Sequence, residues 1–411
     1  MKPLLLILLV AADAAILSAQ WPQWRGPHRD GVIAAANVPA AWPAKLTPAW
    51  TQKVGEGYST PVVSGSRIFV HGRQDPEEVV IALDLAAGKP VWTARYQSAF
   101  TRNKYANEMS KGPFSTPLVS NGLVYTLGTS AVLSAFDEKT GALKWRKDWS
   151  REIDTSKLFT GTAMSPIIDS GLLIVHVGDD TRGAFRAFDP QTGAEKWNLP
   201  GHGPGYASPV SRGIVTASGK PSTQIITMTD KAVVGVETIT GKLLWQIPFP
   251  DEWNENIVTP VFANDLVIVS GTRKGTFGYR LEVKGSTWTP VEVWHNADIP
   301  MYMSSPVVDG RFVYGFTSRR KGQLFCADAT TGTVKWTTEG RSGMSASLLL
   351  AGPNLVALTT EGELLVLRKN PEKFEQLRRY TVSGSQTWAQ PVILKDGLVV
   401  RNADSVAFWR F

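Results

Sequence analysis

Ala82-Leu83-Asp84-Leu85-Ala86-Ala87-Gly88-Lys89-Pro90-Val91-Trp92 holds a strand end, a turn and the start of a second strand, and the chain repeats its skeleton. An acidic residue, a glycine four positions on and a tryptophan four further recur at Asp137, Gly141, Trp145; Asp189, Gly193, Trp197; Glu237, Gly241, Trp245; and Asp328, Gly332, Trp336. A repeated unit of this kind decides the architecture before any local feature does. The apolar residues ahead of each acid, such as Val80 to Leu83, suit a half-buried strand. The acid ends that strand, where its carboxylate accepts backbone N–H bonds in the turn, and the glycine supplies the positive φ of a tight hairpin. The tryptophan falls on the next strand, where a large ring wedges against a neighbouring sheet.

A second element precedes each unit. A residue and a proline open an apolar strand at Thr60-Pro61, Thr116-Pro117, Ser165-Pro166, Ser208-Pro209, Thr259-Pro260, Ser305-Pro306 and Gln390-Pro391, and Ser347-Leu348 is a copy without the proline. Proline is tolerated at a strand start, where its missing N–H costs little. These eight starts lie 42 to 56 residues apart. A turn and another strand separate each start from its acid, as at Asn121-Gly122 and Asp309-Gly310, so each repeat carries four strands. Such repeats bury both faces without long open edges when they close into a ring. The expected fold is therefore all-β: an eight-bladed β-propeller of four-stranded antiparallel blades. The last repeat, Gln390 to Phe411, has only three strands, and Pro48 to Gln52 with Trp50 reads as an orphan outer strand. Trp50 is expected to complete the eighth blade and close the ring. Lys274 to Pro290 replaces the usual acid-and-glycine turn, although Trp294 remains, and Glu372 to Tyr380 lacks a tryptophan, so the fifth and seventh blades are expected to form the weaker seams.

Composition agrees with a folded, turn-rich chain: 43% hydrophobic, 19% charged, with 37 Gly, 26 Pro and 15 Trp in 411 residues. Residues 1–19, with Lys2 and an apolar run from Leu4 to Ala12, read as a secretory signal peptide cut after Ala19. That run is well short of the roughly 20 residues a bilayer needs. The expected division is a signal peptide over 1–19, an extension packing on the propeller over 20–44, and the propeller over 45–411. The Trp21 to Pro27 segment is expected to lie across a blade face. The single cysteine, Cys326, sits in an apolar strand run. It excludes an internal disulfide, a cysteine zinc site and C-x-x-C-H haem attachment, and no lipid-attachment cysteine follows the leader. The mature protein is expected in the periplasm or outside the cell.

Residues 82 to 92 and 187 to 197 resemble the repeat of the pyrroloquinoline-quinone (PQQ) propeller family, and the resemblance runs over roughly residues 45 to 411. The family includes quinoprotein dehydrogenases, which hold PQQ and calcium at the ring centre, and non-enzymatic outer-membrane assembly propellers. The repeat identifies the scaffold and does not choose between them. A dehydrogenase needs carboxylate and amide oxygens for calcium and an aspartate base beside the quinone. The connection from Tyr96 to Gly112 offers Arg102, Asn107, Glu108 and Lys111 as cofactor ligands, and that from Asp251 to Asn256 offers Asp251, Glu252, Glu255 and Asn256. The repeat aspartates Asp84, Asp137, Asp189 and Asp328 are explained as turn caps. The five histidines show no metal-ligand spacing, so no metal site is expected from them. Paired cysteines are missing, and the chain is shorter than the family's alcohol dehydrogenases. The expectation is a non-catalytic scaffold or binding propeller of the cell envelope. The alternative is a PQQ-dependent dehydrogenase, with PQQ and calcium, oxidising an alcohol or sugar.

One position recurs three residues before each proline or its equivalent: Tyr58, Phe114, Ala163, Tyr206, Ile257, Met303, Ser345 and Trp388. Placed on innermost strands, these residues ring one mouth of the channel, and Tyr58, Phe114, Tyr206, Met303 and Trp388 are the candidate binding residues for a peptide strand, a flat ligand or a quinone. Packing of the connections between blades is the competing reading. The net charge of +7 favours anionic partners such as an envelope surface. No basic stripe with interleaved aromatics is present, so nucleic acid is not an expected partner, and the chain is expected to act as a monomer.

Overall fold

The computed structural model describes residues 21–106, 109–179, 182–215 and 219–411. The leader and its cut after Ala19 lie outside the described residues. The strands form eight sheets of four antiparallel strands, one of which gains a fifth, parallel strand, Val32–Ile33. Among the described residues no helix is long and apolar enough to cross a membrane. Blade 1 runs Val62–Ser64, Arg67–Gln74, Glu77–Asp84 and Pro90–Gln97, and six further blades follow the same order along the chain. Seven of the strand starts begin one residue after the proline marked in the sequence, at Val62, Leu118, Ile167, Val210, Val261, Val307 and Val392. Blade 8 takes Val392–Leu394, Gly397–Arg401 and Ser405–Arg410 from the C-terminal end, and Thr47–Lys53 pairs antiparallel with Ser405–Arg410 as its outer strand. The ring therefore closes through Trp50's strand.

The repeated turn works across blades. Asp84 Oδ1 accepts from Ala87 N at 2.7 Å, Asp137 Oδ1 from Thr140 N at 3.0 Å and Asp189 Oδ1 from Thr192 N at 2.9 Å. The glycine that follows packs under the tryptophan of the preceding blade: Gly88 under Trp50, Gly141 under Trp92, Gly193 under Trp145, Gly241 under Trp197 and Gly332 under Trp294. Each of those indoles donates its Nε1–H to a carbonyl of the same turn, as Trp92 does to Glu138 O at 3.1 Å and Trp145 to Pro190 O at 2.9 Å. Asp, Gly and Trp thus form one device, in which the ring of one blade seats on the bare backbone of the next.

Gly193 shows why no side chain fits there. Its φ is 70°, and an added Cβ would sit 2.7 Å from the Trp145 ring. Gly193→Ala is expected to cost about 1–2 kcal/mol, since it combines a strained left-handed backbone with displacement of a packed indole. Urea unfolding checks this, with Gly201→Ala as comparison: Gly201 also has a positive φ, 94°, but open space around it, so it isolates the backbone strain.

The irregular blades have substitutes. Trp245 finds no glycine turn in blade 5 and donates to Gln224 Oε1 of its own blade at 2.8 Å. Blade 7, without a tryptophan of its own, is covered by Trp42 of the N-terminal extension. Trp42 meets Phe411 edge-on at 5.1 Å, and the Tyr380 hydroxyl donates to the adjacent Pro43 O at 2.5 Å.

Two buried polar clusters fasten blade 1 to its neighbours. Glu78, fully buried, receives Arg73 Nη2 at 3.1 Å, Tyr96 Oη at 2.5 Å and, from blade 2, Thr129 N at 3.0 Å and Thr129 Oγ1 at 2.6 Å; His71 Nε2 lies 3.3 Å away. Arg401 of blade 8, also fully buried, donates to Ser59 O at 3.0 Å, His71 O at 2.6 Å and Glu56 O at 3.2 Å.

Candidate functional site

The residue ahead of each proline builds the inner rim. Backbone N–H groups donate to the hydroxyl of the next blade in sequence: Thr60 to Thr116 (3.3 Å), Thr116 to Ser165 (3.0 Å), Ser165 to Ser208 (2.9 Å), Ser208 to Thr259 (3.2 Å) and Thr259 to Ser305 (3.1 Å). Gln390 N donates to Thr60 Oγ1 at 3.1 Å and carries the series across the closure. Small hydroxyl residues recur at this position because each satisfies an N–H that no strand pairs.

The channel inside this rim is occupied by the protein itself. Trp21 exchanges both backbone bonds with Val63 of blade 1, and Pro22 O accepts from Val119 N of blade 2 at 2.8 Å. Arg29, 3% exposed, donates to Pro166 O at 2.8 Å, Ser165 O at 3.1 Å and Pro209 O at 2.8 Å, from blades 3 and 4. Arg25, fully buried, donates to Pro306 O of blade 6 and to Asp30 O, and its own N–H meets Gln390 Oε1 of blade 8 at 3.1 Å. Gly31 O accepts from Leu350 N of blade 7 at 2.8 Å. The expectation that Trp21 to Pro27 lies across a blade face is corrected: the segment enters the ring. The physical reason is that carbonyls at the inner strand starts need donors on the axis, and guanidinium groups supply five N–H each.

Both guanidiniums are shifted by this burial. Desolvation lowers Arg25 to about 10, with Asp30 acting in the opposite sense, and lowers Arg29 to about 9, with the Arg25 charge adding to it. Both remain cations at neutral pH. The ring of Trp24 covers them, its centroid 5.4 Å from the Arg25 guanidinium carbon and 5.6 Å from that of Arg29.

Above Trp24 lies a cup of about 160 Å³. The structure brings Tyr58, Phe114, Ala163, Tyr206, Ile257, Met303 and Trp388 together around it, seven of the eight recurring positions. Ser345, the eighth, turns away and shares a hydrogen bond with Ser304 at 2.7 Å. Tyr58 stands at the centre of the aromatic wall, 5.9 Å from Phe114 and 6.4 Å from Trp388 between ring centroids. Burial raises the phenol of Tyr58, with Arg401 lowering it and Glu56 raising it further. Trp24, Met109, Phe159 and Thr160 also line the cup and carried no signal in the repeat, whereas Gln390, Thr60 and Thr116 line it from the residues ahead of the repeated prolines.

Among the described cofactor candidates, none of Arg102, Lys111, Asp251, Glu252, Glu255 and Asn256 lines the cup. Arg102 Nη1 donates to Met109 O of its own loop at 2.5 Å, and Lys111 pairs with Asp75. Asn107 and Glu108 lie outside the described residues. In the second loop, Asn256 Nδ2 donates to Thr229 O and Phe249 O, each at 2.8 Å, and Asp251 caps its own turn. Glu255 accepts from the Tyr302 hydroxyl at 2.6 Å; burial raises its carboxyl, that hydrogen bond opposes the rise, and Asp251 adds to it.

The described residues do not fit PQQ with calcium. The axis carries two buried arginines and Trp24, and among the described residues no group of three or more His, Cys, Asp or Glu side chains is placed to hold a metal ion. The remaining cup, about 160 Å³, is well below the roughly 300–1,000 Å³ typical of ligand pockets.

A family model described as outer membrane protein assembly factor BamB matches residues 29–212 and 76–338. Outer membrane protein assembly factor BamB of Burkholderia pseudomallei (strain K96243) is 25% identical over 348 residues, which are 76% of this chain and 85% of that protein. Quinohemoprotein alcohol dehydrogenase ADH-IIG of Pseudomonas putida is 28% identical over 143 residues, 34% of this chain and 19% of that enzyme. Among solved structures, quinohemoprotein alcohol dehydrogenase from Comamonas testosteroni superposes with a TM-score of 0.67 at 15% identity, covering 95% of this chain and 80% of the other. That similarity shows the propeller fold.

Proposed function

The chain belongs to the family of PQQ-type propellers described as outer membrane protein assembly factor BamB, and from that premise we propose that it is a non-catalytic envelope scaffold that docks a protein partner on its channel-mouth face. The observation that carries this reading is the filled channel. Arg25 and Arg29 take the carbonyls at the ring centre, and what stays open is an aromatic cup rimmed by loops. A shallow aromatic cup is the geometry of a hot spot, where a few rings supply most of the binding energy of an interface. The loops around it add reach: Tyr105 is 71% exposed and Trp253 57%. In this reading the protein is exported, works as a monomer, and its positive net charge holds it near anionic envelope surfaces.

Capture from envelope extract tests the reading. The full chain should retain a partner that the Tyr206→Ala, Trp388→Ala double variant loses by about a hundredfold in affinity, taking each aromatic hot spot as worth about 1–2 kcal/mol. A partner held equally by both proteins would move the docking site off the cup.

A further inference from the structure

We infer that residues 21–53 work as one latch, in which the segment that fills the channel and the strand that closes the ring open and shut together. The floor of the cup and the closure of the ring then belong to a single conformational unit. Chain order shows the connection. Trp24 is the cup floor; Arg29 bonds the carbonyls of blades 3 and 4, and Arg25 that of blade 6. Val32–Ile33 then pairs with the inner strand of blade 7, Trp42 and Pro43 cover the same blade, and Thr47–Lys53 is the outer strand of blade 8.

Packing makes these stations one body. Ile33, Val38, Trp42 and Leu46 are all buried, so anchors recur along the whole path from the axis to the closing strand. A single hydrophobic cluster gathers them with Trp21 and Val54 and with the cores of blades 1, 7 and 8, through residues such as Val63, Leu349 and Val392. Close-packed side chains of this kind cannot be exposed one at a time without leaving voids, and proteins open in contiguous cooperative units.

Chain entropy couples the two ends further. With the axis contacts made, Thr47–Lys53 is a stretch held on both sides, by Ile33 and Trp42 before it and by blade 1 after it, where Trp50 Nε1 donates to Leu85 O at 3.0 Å. Without those contacts the strand is part of a tail fixed on one side only. A tail gains more conformational freedom on detaching than a loop whose ends are both fixed, so losing the axis contacts lowers the cost of opening the closing strand. Linkage runs both ways, and loosening the strand weakens the hold on the axis.

Hydrogen exchange on the full chain tests the latch with two sets of amides. The axis set is Val63, Val119 and Leu350, whose N–H groups donate to Trp21 O, Pro22 O and Gly31 O; the closure set is the strand Thr47–Lys53. Arg29→Met should speed both sets by a common factor of at least about ten, with the blade 2 outer strand Leu143–Asp148 changing less than about twofold. Gly193→Ala, at the seam that seats Trp145, should do the converse and speed Leu143–Asp148 alone. Trp42→Phe, midway along the path, is the milder variant if Arg29→Met does not fold, and it too should move both sets together. Acceleration of one set with the other unchanged, or no acceleration of either, would overturn the inference. A partner captured at the cup should slow both sets; failure to capture one counts against the docking reading and leaves the variant comparison intact.

Discussion

Glu78→Ala is expected to destabilise the protein by about 3–5 kcal/mol, among the largest effects of any single substitution. The carboxylate is fully buried and holds Arg73 within blade 1 and Thr129 of blade 2 through both its backbone N–H and its hydroxyl. Removing it leaves Arg73, 2% exposed, as a buried cation whose remaining carboxylate partner is the exposed Asp75, with only the neutral acceptors Ser98 O and Thr129 Oγ1 beside it, and breaking one side of such a pair costs more than the pair contributes. Urea unfolding is the measurement, and a loss below 1 kcal/mol would contradict the assigned role. The same carboxyl makes stability depend on pH. Burial pushes its pKa up, but the hydrogen bond and charge of His71, the charge of Arg73 and the hydrogen bond of Thr129 outweigh burial and hold it well below the usual carboxylate range. A depressed folded-state value means that the contribution is complete above the unfolded glutamate value, near 4.3, and is lost as pH falls below it. Wild type should therefore weaken more steeply than Glu78→Gln between about pH 4 and pH 2.

Arg401→Met should cost about 3 kcal/mol or more and should act at the closure of the ring. Its guanidinium reaches from blade 8 to the carbonyls of Gly55, Glu56, Ser59 and His71, of which Ser59 and His71 are buried. Hydrogen bonds to a charged donor are worth about 1.5–3 kcal/mol each before non-additivity; His71 O keeps the Ser59 hydroxyl and Glu56 O keeps Arg73 N, so the loss falls mainly on the buried Ser59 O. Methionine keeps much of the packed volume, so the loss reports the hydrogen bonds. Arg410→Met, on the exposed outer part of the same blade, should change stability by no more than about 0.5 kcal/mol. Limited proteolysis should find the strand Thr47–Lys53 cleaved earlier in Arg401→Met than in wild type, because its ladder partner is the blade 8 strand Ser405–Arg410, and Trp50 seated on the blade 1 turn is its main tie across the closure.

Repetition made the ring legible. Pro61 and its counterparts mark strand starts because proline lacks the N–H that a ladder would use, and Asp84, Gly88 and Trp92 recur because every seam needs the same turn and the same ring on it. The cup wall was legible for the same reason: Tyr58, Phe114, Tyr206 and Trp388 occupy one position of the repeat. Trp24, Arg25 and Arg29 belong to a segment that does not repeat, so no periodicity pointed to the channel, and the blade groups that Arg25 and Arg29 bond lie 136 to 365 residues away in the sequence. Glu78 is hidden differently. In the run Glu77-Glu78-Val79-Val80 it looks like the polar entry of a strand, and only Thr129, 51 residues on, reveals that it faces inward.

The ring is filled by its own N-terminal segment, and the proposed docking role leaves no room for a quinone at the axis. Equilibrium dialysis of the full chain against PQQ, with and without calcium, followed by dye-linked oxidation of alcohols and sugars, tests it most directly. No saturable quinone binding and no substrate-dependent dye reduction are expected in either condition. Stoichiometric PQQ binding that requires calcium and supports turnover would contradict it.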